Sequence, residues 1–414
     1  MMPNTRKLQA LLCLAFLASA MAGCGSHGGG GTQDDGDQTR RWTIMVYVAS
    51  DNDLEQYAIR DMNELESVGS TSRVSVVAQI DRIQTPSYDT SNGDWSTTRR
   101  YYITRDSDTS TIHSELVADL GELNMAAPET LTDFVQWAVQ TYPADHYLLA
   151  LWDHGRGWQT TTARTLGLDR EIRAINIDQT DGGEMSLADL TLALEQSPHL
   201  DVVLLDACLM GMLEVAYSVR NCADIMLASE ENVPVPGQPY QTTLWRITSN
   251  PGMSPLQLSR TVVDEYMGYY LPGSSTTLTY SAISLTSLDA LVSAADQLAD
   301  AILRDPSAWP SVRTAQEQTQ RFDYDKGSYI YYKDLYDFAS RLNSVVFSAE
   351  IRSSCQAVMA AVNDTVLYQR NSGGKVANAH GVSIYLPDSG RMLNSYRSLA
   401  FAQDTSWDEF LASY

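Results

Sequence analysis

The sequence predicts an α/β protein: a mostly parallel β-sheet flanked by helices on both faces, with a helical C-terminal portion. Three observations predict it. Continuous apolar runs recur at Thr43–Ala49 (TIMVYVA), Tyr147–Trp152 (YLLALW) and Val202–Leu205 (VVLL), as expected for strands covered on both faces. Stretches with apolar residues at helical spacing separate these runs, and strand–helix alternation favours parallel pairing. The chain has 414 residues of which 44% are hydrophobic, enough for a large core and incompatible with wholesale disorder.

Taken in order, the chain opens with Arg6 and Lys7 before an almost wholly apolar stretch, Leu8–Ala20, too short to span a bilayer. Met21-Ala22-Gly23-Cys24 follows. Small residues before a cysteine resemble a bacterial lipoprotein signal, in which residues 1–23 are removed and Cys24 is lipidated; the other reading is an ordinary secretory signal cut near the same alanines. Residues 24–40 then read as a lipid-anchored, Gly- and Asp-rich flexible tether. The sixteen residues 25–40 that follow Cys24 span about 20–24 Å. Residues 41–414 read as one large domain, with no internal repeat and no second linker.

Within that domain, Thr43–Ala49 is a buried strand, Leu54–Val68 an amphipathic helix and Val74–Ile80 a second strand. A helix starts at Pro128-Glu129 and runs to Tyr142, and Tyr147–Trp152 is the next strand. Ser186 and Asp189 form a capping-box start for a helix reaching Gln196, ahead of the strand Val202–Leu205. Ile225–Ala228 and Leu278–Leu285 add strands, residues 287–370 read mainly as helices, and Gly381–Leu386 (GVSIYL) adds a late strand.

Charge excludes one function class. With 28 Lys+Arg against 51 Asp+Glu, a net charge of -23 and no basic run longer than two residues, the chain is no nucleic-acid binder. Loss of residues 1–23 takes Arg6 and Lys7 but no acid, so the mature chain is more acidic still. Of five cysteines, Cys13 leaves with the signal and Cys24 is the anchor, which leaves Cys208, Cys222 and Cys355. The last two fall in helical surroundings and read as core residues, although export permits a disulfide between them.

Open parallel sheets collect reactive groups beyond the carboxyl ends of their strands. One strand end reads LLALWDHGRGW, carrying His154, and another reads VVLLDACLMG, carrying Cys208. If the two strands are neighbours, imidazole and thiol can face each other, as nucleophilic thiol catalysis requires. Gly155 and Gly157 allow close backbone approach to a ligand, and the Gly155 amide can point at a developing oxyanion. Asp206 lies two residues before Cys208, on the same face of the strand. Asp153 adjoins His154 but points to the opposite face.

His-Gly after one strand and Asp-Ala-Cys after the next resemble the caspase-like clan of cysteine peptidases. The stretches LLALWDHGRGW, LLDACLMGMLEVAYSVRNCADIMLASEENVPVPGQPY, HGVSIYLP and FAQDTSWDEFLASY resemble, more closely, the clostripain-like family. The resemblance covers nearly all of residues 42–414. It implies a catalytic dyad in which Cys208 attacks the scissile carbonyl and His154 protonates the leaving amine, with the Gly155 and Cys208 amides as oxyanion hole and no third catalytic residue. It implies that Asp206 lines the S1 pocket and pairs with an Arg or Lys side chain of a protein or peptide substrate. The other reading of Asp206 is a structural carboxylate accepting backbone amides. The resemblance also implies activation by cleavage between the His and Cys segments, where Arg164, Arg170 and Arg173 are targets for an Arg-specific enzyme. No cofactor is required for this chemistry and no metal ligands are assigned. Some relatives use calcium, but the acidic stretch Asp178–Glu184 lacks EF-hand spacing and reads as a solvated loop.

The remaining candidates are weaker. His380-Gly381 repeats the pair before a strand, hence at the opposite sheet edge, and His113, His146 and His199 flank strands without a nearby thiol. His27 lies in the tether. Glu230 and Glu231, after the Ile225 strand, border the pocket or not, and the run Tyr329–Phe338 packs in the core or lines a peptide groove. The leading expectation is a lipid-anchored extracytoplasmic cysteine endopeptidase cleaving after Arg or Lys. The alternative is a surface-anchored lipoprotein that binds partners on a non-catalytic peptidase scaffold.

Overall fold

Five parallel strands run through the centre of a nine-stranded sheet, and the alternation of side chains along them divides the interior into two cores. The computed structural model describes residues 39–158, 175–271, 277–322 and 331–414. The chain enters on β1 (Trp42–Ser50), passes through α1 (Glu55–Glu66) to β2 (Val74–Arg82), and adds β3 (Arg99–Tyr102) and β4 (Glu115–Asp119). Helix α2 (Pro128–Thr141) returns to β5 (His146–Trp152). A short hairpin, β6 (Ile175–Asp178) and β7 (Gly183–Met185), precedes α3 (Leu187–Glu195) and β8 (Leu200–Asp206). There follow α4 (Leu213–Val219), β9 (Ala223–Ala228), α5 (Tyr240–Ser249), α6 (Pro255–Tyr270) and β10 (Thr279–Ser284). The C-terminal portion holds α7 (Leu288–Arg304), α8 (Trp309–Gln318), β11 (Tyr332–Asp334), α9 (Leu335–Val345) and α10 (Ala349–Thr365). It closes with β12 (Val366–Asn371), β13 (Ser383–Tyr385), α11 (Ala400–Asp404) and α12 (Trp407–Ser413).

The sheet order is β12-β10-β9-β8-β5-β1-β2-β3-β4. Strands β9, β8, β5, β1 and β2 pair in parallel, while β10 and β12 on one edge and β3 and β4 on the other are antiparallel. From β1 the chain builds outward first to β2 and later to β5, β8 and β9. The order therefore reverses between β1 and β5, and the crevice at a sheet's carboxyl edge opens at such a reversal.

Period-two alternation explains why these strands are apolar throughout. In β1, Met45, Tyr47 and Ala49 face one core, while Trp42, Ile44, Val46 and Val48 face the other. Leu149 and Leu151 of β5 and Val203 and Leu205 of β8 join the first core; Leu148, Ala150, Trp152, Val202 and Leu204 join the second. Helices α1, α5 and α6 cover the second core, and the others cover the first. Each fully buried Leu or Val contributes about 1.5–3 kcal/mol. A buried ion pair, Arg82 Nε to Glu55 Oε1 at 2.8 Å, ties the start of α1 to the end of β2. Glu55 Oε2 also takes the amides of Tyr88 and Asp89 at 2.7 and 2.9 Å, so neither charge is left uncompensated.

The expected parallel core is present. Helix α3 begins with the predicted capping box: Ser186 Oγ accepts the Asp189 amide at 3.1 Å and Asp189 Oδ2 accepts the Ser186 amide at 3.0 Å. Three features differ from expectation. The late strand near Gly381 shrinks to three residues and pairs with β11 in a separate ribbon, not with the main sheet. The edge strands β4 and β12, and β3 beside β4, lack an apolar run because they are less deeply covered than the central strands. In the acidic stretch from Asp178 the turn at 179–182 is exposed as expected, but Asp178 itself is buried at the end of β6. No described helix is long and apolar enough to cross a membrane. The signal, the tether, Cys24, Arg164, Arg170 and Arg173 lie outside the described residues, as do Tyr329 and Ile330.

Candidate active site

Strands β5 and β8 pair from Leu148 opposite Val202 to Trp152 opposite Asp206. The paired segment ends there, and His154 and Cys208 follow two residues later, each just beyond its strand. Both line a cleft of about 100 Å³ together with Asp206, Trp152, Leu54 and the loop residues Val233, Pro234, Val235 and Gly237. The neighbouring-strand condition posed by the sequence is met.

Cys208 is half-buried. Its Sγ accepts the Val233 amide at 3.3 Å and lies 3.6 Å from the Val233 carbonyl. The next residue, Leu209, adopts a left-handed conformation with φ 63°, which turns the chain sharply away from the thiol. A non-glycine residue pays about 1–2 kcal/mol to sit there. The surroundings hold it: the Leu209 amide donates to Glu231 O at 3.3 Å and the Gly211 amide to Ser229 O at 2.7 Å. Gly211 O in turn accepts both the amide and the hydroxyl of Ser383, at 2.8 and 3.1 Å. The short strand β13 thus buttresses the thiol turn from behind.

His154 has its Nε2 2.9 Å from Asp53 Oδ1. Asp153 is buried and its carboxylate clamps the backbone: it accepts the amides of His154 and Ile177 and the Asn52 side-chain amide. The chain after His154 lies hard against the thiol segment. A Cβ at Gly155 would stand 2.5 Å from Cys208 O and 2.9 Å from Cys208 N, so only glycine permits the approach. Tyr332 Oη donates to Arg156 O at 2.5 Å and fixes the following turn.

Asp206 lines the cleft and also accepts a backbone amide. Oδ2 accepts the Gln238 amide and the Tyr240 hydroxyl, both at 3.0 Å, whereas Oδ1 is enclosed and has no hydrogen-bond partner. Gly237, at φ 66°, lets the loop close on the carboxylate; a Cβ there would meet Asp206 Oδ2 at 2.9 Å. Burial pushes the Asp206 carboxyl up to about 6. Asp61 of α1 lies on the same side of the sheet, its Oδ2 accepting Trp152 Nε1 at 2.8 Å and its Oδ1 enclosed without a partner. Burial first, and then the charge of Asp206, raise its carboxyl well above the ordinary range.

Other candidates lie elsewhere. Glu230 is buried and accepts the Gly381 amide at 2.9 Å, and Glu231 donates its amide to Ser229 and Thr279 hydroxyls; neither lines the cleft, whose wall is formed further on by residues 233–237. His380 pairs with Asp334 at 3.1 Å and stacks on Tyr336. His113, His146 and His199 pair with Asp108, Asp201 and Asp224. Cys222 and Cys355 form no disulfide, and burial pushes their thiols up to about 11 and about 12. Tyr331 and Tyr332 are core residues. Sequence reasoning missed Asp53, Asp61 and Tyr240. The signal for Asp53 was the Asp-Asn-Asp triplet directly after β1, at the carboxyl edge where ligating groups gather.

A family model described as the clostripain family matches residues 46–414. Clostripain from Hathewaya histolytica is 26% identical over 412 residues, covering 87% of this chain and 77% of that protein. Two solved structures share the fold. A secreted cysteine protease from Bacteroides thetaiotaomicron, in complex with an irreversible peptide inhibitor, is 21% identical with a TM-score of 0.67, covering 91% of this chain and 100% of its own. An inactive zymogen protease from Parabacteroides distasonis is 21% identical with a TM-score of 0.68, covering 89% and 98%.

The raised Asp206 carboxyl has a consequence for stability. Its folded value of about 6 exceeds the ordinary value of about 3.9, so between these pH values the folded chain holds the extra proton and loses stability as pH rises. Asp206→Asn keeps an acceptor for Gln238 and Tyr240 and removes the buried charge. In thermal melts it should exceed wild type at pH 7.5, by on the order of 3 kcal/mol, with the margin shrinking to about 1 kcal/mol at pH 4.5. A variant less stable than wild type at pH 7.5 would show that the carboxylate is itself a structural tie.

Proposed function

The chain belongs to the clostripain family of cysteine endopeptidases, and from that premise we propose that it hydrolyses peptide bonds after Arg or Lys with Cys208 as nucleophile and His154 as its acid–base partner. The observation that carries the reading is the β5–β8 pairing, beyond which His154 and Cys208 line one cleft together with Asp206, whose Oδ1 has no hydrogen-bond partner. Cys208 Sγ attacks the carbonyl carbon and the developing oxyanion lies against the Gly155 and Cys208 amides. His154 gives its proton to the leaving amine, and water, deprotonated by His154, then resolves the thioester. Asp206 Oδ1 accepts the guanidinium or ammonium of the substrate. Arrival of that cation offsets the burial of a carboxylate that is costly without it.

Two further steps belong to the proposal. The exported chain is anchored through lipidated Cys24 and carried on the 24–40 tether, which agrees with the lipoprotein-like start of the sequence and with a structural relative described as secreted. The chain cuts itself at Arg164, Arg170 or Arg173, between His154 and Cys208; a structural relative is described as an inactive zymogen.

Purified wild type and Cys208→Ala should be compared on Arg-, Lys- and Leu-linked reporter peptides under reducing conditions, and on a gel. The expected result is cleavage of the Arg and Lys reporters and a processed band pair in wild type, with both absent in Cys208→Ala. Activity surviving in the variant would refute the mechanism, and identical bands would refute self-cleavage. For the anchor, wild type should partition into membranes when expressed with its signal, whereas Cys24→Ser should be released. Equal partitioning of the two would exclude lipidation at Cys24.

A further inference from the structure

The apolar run of β1 ends at Ser50, and three polar residues, Asp51, Asn52 and Asp53, carry the chain over the carboxyl edge of the sheet to Leu54, which lines the cleft. Asn52 is buried and fixes this arch with its own side chain. Its Nδ2 donates to Ala49 O at 3.1 Å, to Asp153 Oδ1 at 2.9 Å and to Ile177 O at 3.0 Å, while its Oδ1 accepts the Leu54 amide at 2.9 Å. Asp53 sits at the crown of the arch between these two residues, with its side chain more than half exposed.

The same buried oxygen reaches the histidine. Asp153 Oδ1 also accepts the His154 amide, at 2.5 Å, so the arch and the histidine backbone are tied to one atom. From these two fixed points the side chains of Asp53 and His154 converge, with Asp53 Oδ1 2.9 Å from His154 Nε2. A pair as exposed as this contributes little to stability, but its consequence for the ring is definite. A carboxylate accepts and does not donate, so the bond places the ring hydrogen on Nε2. The neutral ring then keeps its lone pair on Nδ1, which leaves Nδ1 to exchange a proton in the cleft that His154 lines.

We infer that Asp53 is a positioning residue for the peptidase reaction: its carboxylate fixes the orientation and tautomer of His154, so that Nδ1 serves the thiol and the leaving group. The inference rests on the Cys208–His154 reading given above. In acylation the bond from Cys208 Sγ to the carbonyl carbon forms and the peptide C–N bond breaks. The one proton that moves passes from Sγ to Nδ1 and on to the leaving nitrogen. Asp53 keeps its charge throughout and acts only through the ring. Solvent competes for a bond this exposed, and the shared anchor at Asp153, not burial, keeps its two partners in place.

The test uses the full chain as wild type, Asp53→Ala, Asp53→Asn, His154→Ala and the double variant Asp53→Ala/His154→Ala, with thermal melts as the control for folding. On an Arg reporter peptide, Asp53→Ala should lower kcat by roughly tenfold or more and leave KM within about twofold of wild type. Asp53→Asn keeps the shape, but its amide can also donate to Nε2 and admit the other tautomer, so its kcat should fall between the two. A role confined to holding the loop would leave Asp53→Asn equal to wild type, and that result would count against the inference. Iodoacetamide labelling of Cys208 separates the inference from the reading it rests on. His154→Ala and Asp53→Ala should each slow labelling, and the double variant should be no slower than His154→Ala alone. Normal kcat and labelling in Asp53→Ala, or a loss that adds in full to that of His154→Ala, would overturn the inference and leave the dyad standing. Labelling unchanged in His154→Ala would overturn the dyad and the inference with it.

Discussion

The hydrogen-bonded register between β5 and β8 decides which side chains emerge together at the carboxyl edge of the sheet. With Trp152 opposite Asp206 at the end of the ladder, His154 and Cys208 follow two residues on and line one cleft. A slip of one residue would turn every side chain of one strand to the opposite face. Leu148, Ala150 and Trp152 would then leave the core under α1, α5 and α6, and Leu149 and Leu151 would leave the other. Two-sided burial therefore locks the register far more firmly than ladder hydrogen bonds alone. The site inherits that rigidity, because His154 and Cys208 each sit only two residues beyond the paired segment.

The groups around the cleft run against local stability while the scaffold beneath is locally consistent. Leu209 is held left-handed, and Asp206 and Asp61 each keep an enclosed oxygen without a partner. Conflicts of this kind concentrate where a ligand is to complete the structure. The thiol turn tolerates its strain because Glu231, Ser229 and Ser383 hold it from three sides. Those contacts explain why the late strand β13 lies behind Cys208 and does not extend the sheet.

Much of this was legible in the sequence, and the limits have physical reasons. The central strands were legible because burial on both faces leaves an uninterrupted apolar run, and the His154 and Cys208 blocks because polar residues interrupt such runs abruptly. Strands β3 and β4 at the antiparallel end of the sheet were not, since RRYY and ELVAD carry no two-sided burial signal. Asp53 and Asp61 acquire meaning only when α1 packs against β5. Asp178 was read with the exposed turn that follows it, because its burial depends on segments far away in the sequence, such as Met125, whose amide it accepts. The pocket wall fell a few residues beyond Glu230 and Glu231, after a turn that Gly237 makes possible.

The central claim, that the strand register makes a working thiol–imidazole pair, is tested most directly by alkylation of the native chain at pH 7. Iodoacetamide labelling of each cysteine is quantified by mass spectrometry in wild type and in His154→Ala. Cys208 should be labelled far faster than Cys222 and Cys355, whose buried thiols are pushed up to about 11 and about 12. Its rate should fall sharply in His154→Ala while the other two stay unchanged. A Cys208 rate indifferent to His154 would contradict the account, because exposure alone would then explain its reactivity.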